Sequence, residues 1–88
     1  MMTYSYQTQR EKIFTDEGQR LFLKVRDTAA RLLKEAGAVR MDAIMRTVAG
    51  DSWGMLACVD RLVELGEIEE IAQAHHVAGQ HRVFVKAE

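Results

Sequence analysis

The chain has 88 residues, of which 48% are hydrophobic and 28% charged, with a formal net charge of −1. That composition matches one folded domain rather than a disordered segment, and near-neutral charge gives no global signal for a polyanion or a membrane surface. No run approaches the roughly 20 apolar residues of a membrane-spanning helix, residues 1–12 lack the apolar centre of a secretory signal, and a lone cysteine fits a reducing compartment, with the cytoplasm as the expectation.

Residues 1–14 mix polar residues with Tyr4, Tyr6, Ile13 and Phe14 and read as an N-terminal arm with a short extended piece, leaving 15–88 as the domain proper. Thr15 or Asp16 offers a helix cap, with Asp16 and Glu17 well placed at the positive helix end. Leu21, Phe22, Val25, Ala29, Leu32, Leu33 and Ala36 then fall on one stripe at helical spacing, predicting an amphipathic helix over roughly 16–36 that Gly37 ends. Ala38–Arg40 is long enough only for a few residues of strand. Asp42 is expected to cap a short helix over about 42–49, with Ile44, Met45 and Val48 inward, and Gly50 stops it. Asp51 or Ser52 caps a helix over about 52–65, in which Met55, Leu56, Val59, Leu62 and Val63 cluster. After Gly66 the period shortens. Ile68–Ala74 and Arg82–Lys86 read as two strands joined through a tip at Ala78-Gly79-Gln80.

The fold class is therefore mainly α with a small β-ribbon. Helix, short strand, helix, tight turn, helix and ribbon together resemble the winged helix-turn-helix family. The residues that carry the likeness are Met41–Gly50, Asp51–Gly66, the passage VDRLVELGEIEEI from Val59 to Ile71, and HRVFVKA from His81 to Ala87. The resemblance implies a C-terminal hairpin wing and, in most small free-standing bacterial members, sequence-specific DNA binding and transcriptional regulation, often as a homodimer. The third helix would then enter the major groove. Fold alone does not decide function, since the same fold serves as a protein-interaction module.

Two readings stay open. For DNA binding the candidates are Arg46 and Arg61, to neutralise phosphates or reach bases, Ser52 and Trp53 beside the turn, and His81 and Arg82 at the wing. Against it, residues 41–88 carry four basic and eight acidic side chains, whereas residues 1–40 carry eight basic and five acidic, so the half expected to meet phosphate is the negative one. For a protein-interaction adaptor, Gly54, Ala57 and Cys58 make a low outward surface beside the Trp53 indole, suited to close packing of another chain; alternatively Trp53 tucks under the turn as core. Leu23 lies off the main stripe beside Ala30. With Tyr4, Tyr6 and Phe14 it forms a second apolar patch that a homodimer would cover, unless the arm folds back over it.

The remaining candidates are weaker. Adjacent His75 and His76 on a strand would face opposite ways, and with no spaced cysteine pair neither a zinc site nor a cofactor is expected. Cys58 reads as a small buried side chain rather than a redox centre. No phosphate loop, activated nucleophile or carboxylate pair suggests an enzyme.

Overall fold

The structure, a computed structural model, describes residues 3–71 and 78–88. The first long helix, α2 (Asp16–Ala36), has the predicted span, and Thr15 is its cap, accepting the Gly18 N–H at 3.0 Å. Phe22, Val25 and Ala29 are its buried residues. It ends at Gly37, whose φ of 79° is open to glycine at little cost.

β1 (Ala38–Arg40) follows, then α3 (Met41–Thr47), α4 (Ser52–Glu64), β2 (Ile68–Glu70) and β3 (Val83–Lys86). Asp42 does not cap α3. Its carboxylate is held by the Arg40 guanidinium, which also keeps its pKa below the usual carboxylate range, and α3 starts one residue earlier with no side-chain cap. Of the two candidates for capping α4 it is Asp51 that acts, accepting the Gly54 N–H at 2.9 Å.

The three strands form one antiparallel sheet in the order β1-β3-β2. Ala38 is opposite Val85 on one side of β3, and Ile68 is opposite Lys86 on the other. The C-terminal strand is therefore central, and its Phe84 is fully buried, as are Met41, Ile44, Leu62, Val25 and Val59. Each such side chain contributes roughly 1.5–3 kcal/mol by leaving water. β2 is described over Ile68–Glu70; the expected continuation to Ala74, with His75 and His76, lies outside the described residues. The expected tip residues Gly79 and Gln80 belong instead to a 3₁₀ turn, Gly79–His81, that leads into β3.

The largest departure is the arm. Residues expected to be extended form a short helix, α1 (Tyr6–Gln9), continued by a 3₁₀ turn, Arg10–Phe14. Ile13 and Gln9 are buried, so this segment is part of the domain's packing. It is joined to α2 at very close range. The Thr15 hydroxyl donates to the Lys12 carbonyl at 2.9 Å and the Gln19 amide donates to the Ile13 carbonyl at 2.7 Å. Gly18 lies against both carbonyls, where a Cβ would be 1.9 Å from the Lys12 oxygen.

Candidate functional site

A helix with one apolar stripe keeps its opposite face for solvent or a partner. On α4 that opposite face is Trp53, Gly54, Ala57, Arg61 and Glu64, with Cys58 at its edge. In the structure Ala57 and Cys58 are each only 1% exposed, and Trp53, Gly54 and Arg61 are half-buried. The cover is the chain's own residues 4–14, together with Leu21 of α2 against Gly54. The low surface foreseen for a foreign helix is thus already packed, and the two small residues are what allow the short arm helices to approach.

Two polar clasps hold the cover down. At the C-terminal end of α4, Glu64 accepts from the Tyr6 hydroxyl at 2.9 Å, from Arg10 at 3.2 Å and from Arg61 at 2.6 Å. The Phe14 ring lies under both guanidinium groups, 5.1 Å from Arg10 and 5.3 Å from Arg61. Bonds from Arg61 first, then Tyr6, hold the Glu64 carboxyl below its ordinary pKa. In the middle of α4, Asp60 accepts from the Tyr4 hydroxyl at 2.6 Å and from Arg82 at 2.7 Å. Arg82 also reaches Glu70 at 2.7 and 2.9 Å and lies 5.1 Å over the Phe84 ring. Burial, with the bond to Asp60, raises the Tyr4 phenol well above its usual pKa, so it stays a donor. The bonds to Glu70 and then Asp60, against the opposing effect of burial, keep Arg82 firmly charged.

These clasps reassign several expected residues. Arg61 and Arg82, expected to meet phosphate, are each paired with carboxylates of their own chain. Arg46, Ser52 and His81 are exposed, and Arg46 makes no ion pair with a described residue. Ser52 does not supply the cap of α4. Tyr4 and Tyr6 pack on α4 instead of joining Leu23, which remains 45% exposed on α2, while Phe14 is 51% exposed beneath its arginines. The single dimer patch built from those four residues is therefore split. The roles of Asp60, Glu64 and Glu70 were missed from sequence. The signal was present only as an unexplained coincidence, a small-residue face on α4 and an aromatic-rich arm.

Two cavities flank the cover. One, of about 290 Å³, lies between arm, α2 and α4 and is lined by Gln9, Ile13, Leu21, Gly54, Ala57 and Cys58. In its wall the Gln9 Oε1 is buried without a hydrogen-bond partner. Burial pushes the Cys58 thiol up to about 11, which disfavours the thiolate. The other, of about 730 Å³, is an open groove bordered by Tyr4, Met45, Trp53, Leu56, Gly79 and Arg82. Trp53 meets the edge of the Tyr4 ring at a centroid distance of 6.4 Å. Among the described residues no three potential ligands are gathered for a metal ion, and no helix is long and apolar enough to cross a membrane. Comparisons with models of known protein families, with curated proteins and with solved structures give no match.

Proposed function

We propose that this is a winged-helix domain that acts by contacting another protein, not by reading DNA through α4. Support for the winged-helix kinship comes from the order α2, β1, α3, α4, β2, β3 with β3 between its two neighbours. The single observation that carries the functional choice is the seating of residues 4–14 on the α4 face that a major groove would have to accept. The electrostatics agree. Asp60, Glu64 and Glu70 gather beside that face, and they have already neutralised Arg61 and Arg82. The contact surface on this reading is the groove beside the arm, with half-buried Trp53 as the anchoring aromatic.

The test is a pair of measurements on the full chain. Duplex titrations at low and moderate salt should show no binding with the steep dependence, a log–log slope of about −0.9 per phosphate, that phosphate contacts produce. A protein partner recovered by crosslinking should be lost with Trp53→Ala, provided the variant keeps the wild-type circular dichroism spectrum. Salt-steep duplex binding by the intact chain, weakened by Arg61→Ala, would overturn the proposal. The second reading, DNA binding once the arm is displaced, is favoured by exposed Arg46 and Ser52 flanking the turn between α3 and α4.

A further inference from the structure

On the far side of α2 from its capped start, a groove of about 520 Å³ runs between this helix and the end of the sheet. Its floor is Ala29, Ala30, Leu33, Leu62 and Ile68, all aliphatic, and its remaining lining residues are Arg26, Lys34, Lys86 and Glu67. The volume is within the roughly 300–1,000 Å³ usual for small-molecule sites.

The chemistry of the two zones is sharply separated. Side chains four apart on a helix share a face, so Arg26 and Lys34 bracket Ala30 along the α2 edge of the floor, with Ala29 and Leu33 as the next row inward. Lys86 supplies the opposite rim, from its place across from Ile68 in the sheet register. Arg26 has one loose partner, Asp27 at 3.6 Å. Lys34, Lys86 and Glu67 make no ion pair with a described residue, so three cations face one acid around an oily floor. The floor itself offers no side-chain hydrogen-bonding group, and the polar groups are confined to the rims. An unbranched hydrocarbon needs no such partners.

We propose that this groove binds a free long-chain alkyl carboxylate, the chain lying over Ala29, Ala30, Leu33, Leu62 and Ile68 and the head group held among Arg26, Lys34 and Lys86. The site shares no lining residue with the Trp53 groove, so it stands or falls separately from the protein-contact reading.

Amide chemical-shift mapping on the full chain tests it, with dodecanoate below its aggregation threshold as the probe. Saturable shifts centred on residues 26–34, 62, 67–68 and 86 are expected. The doubly reversed variant Lys34→Glu/Lys86→Glu should bind about tenfold more weakly, since two exposed attractions become repulsions. Dodecan-1-ol should bind both proteins alike. Both lysines are exposed, so the variant's spectrum should otherwise match the parent's. Shifts centred elsewhere, equal affinity of the parent and charge-reversed proteins for dodecanoate, response only to anionic phospholipid vesicles, or response only to an acidic amphipathic peptide would each overturn the proposal.

Discussion

Gly18→Ala sets two physical effects against each other with opposite signs. Helix propensity alone predicts a gain of up to about 1 kcal/mol, because alanine replaces glycine within α2. The structure predicts a loss. The new methyl would be 1.9 Å from the Lys12 carbonyl oxygen and 2.7 Å from that of Ile13, both backbone atoms, against the 3.0 Å below which such contacts are essentially never tolerated. No rotamer change relieves a clash with backbone, so the 3₁₀ turn must move away from α2. That movement strains the Thr15 and Gln19 bonds to the same carbonyls and lifts Ile13 from the core. Overpacking of this kind costs about 1–3 kcal/mol, and partial loss of Ile13 burial adds roughly 1 kcal/mol more. Urea denaturation followed by circular dichroism should therefore show a net destabilisation of about 2 kcal/mol, the midpoint falling while the slope is nearly unchanged. A variant as stable as the parent, or more so, would refute the seating of the arm. The same protein separates the two functional readings: salt-steep duplex binding gained only in Gly18→Ala would make the arm a cover over a DNA-reading helix.

Three further outcomes follow from the clasps. Arg82→Met should destabilise by about 1–3 kcal/mol in the same assay, since it leaves Asp60, 16% exposed, and Glu70 without their shared cation, whereas Arg61→Met, which removes a pair to the more exposed Glu64, should cost at most about 1 kcal/mol. Alkylation of Cys58 by a maleimide should be slow in the native protein and fast in urea, because the thiol is buried with its pKa at about 11; rapid native labelling would mean that the arm does not cover it. Glu64 has a folded pKa lowered below its ordinary 4.5, so its contribution is complete above that value and is lost as pH falls through the lowered one. Thermal melts should show that acid loss reduced in Glu64→Gln, which starts less stable at neutral pH.

Local rules were enough for the regular elements. The spacing of Phe22, Val25 and Ala29, the cap at Thr15 and the stop at Gly37 are all neighbours in sequence, and the helix they define matches α2 end to end. Ala38–Arg40 was legible for the same reason, being too short for anything but a strand between two helix signals. The arm was not. A four-residue helix and a five-residue 3₁₀ turn have too few positions to show a period, and they are held by the burial of Ile13 and by packing on α2 and α4 rather than by propensity. The surroundings of the α4 face were not legible for a related reason. Periodicity assigns α4 one buried face and leaves Trp53, Ala57 and Cys58 outward, but a second buried face requires knowing that residues 4–14 return to it. Likewise Arg61 and Arg82 look like cations available to phosphate until Glu64, Asp60 and Glu70 are brought beside them. The Arg82–Asp60 and Tyr4–Asp60 bonds span 22 and 56 positions of sequence.

The placement of β3 at the middle of the sheet bears on how this protein is made. Both outer strands are synthesised before the strand that joins them, so while a nascent chain is still short of Val83 neither Ala38–Arg40 nor Ile68–Glu70 has anything to bond with. The sheet cannot close until β3 is present, and distant pairings of this sort slow the search. Loss of Val83–Lys86 would unzip both seams at once, since this is the one strand that both neighbours depend upon.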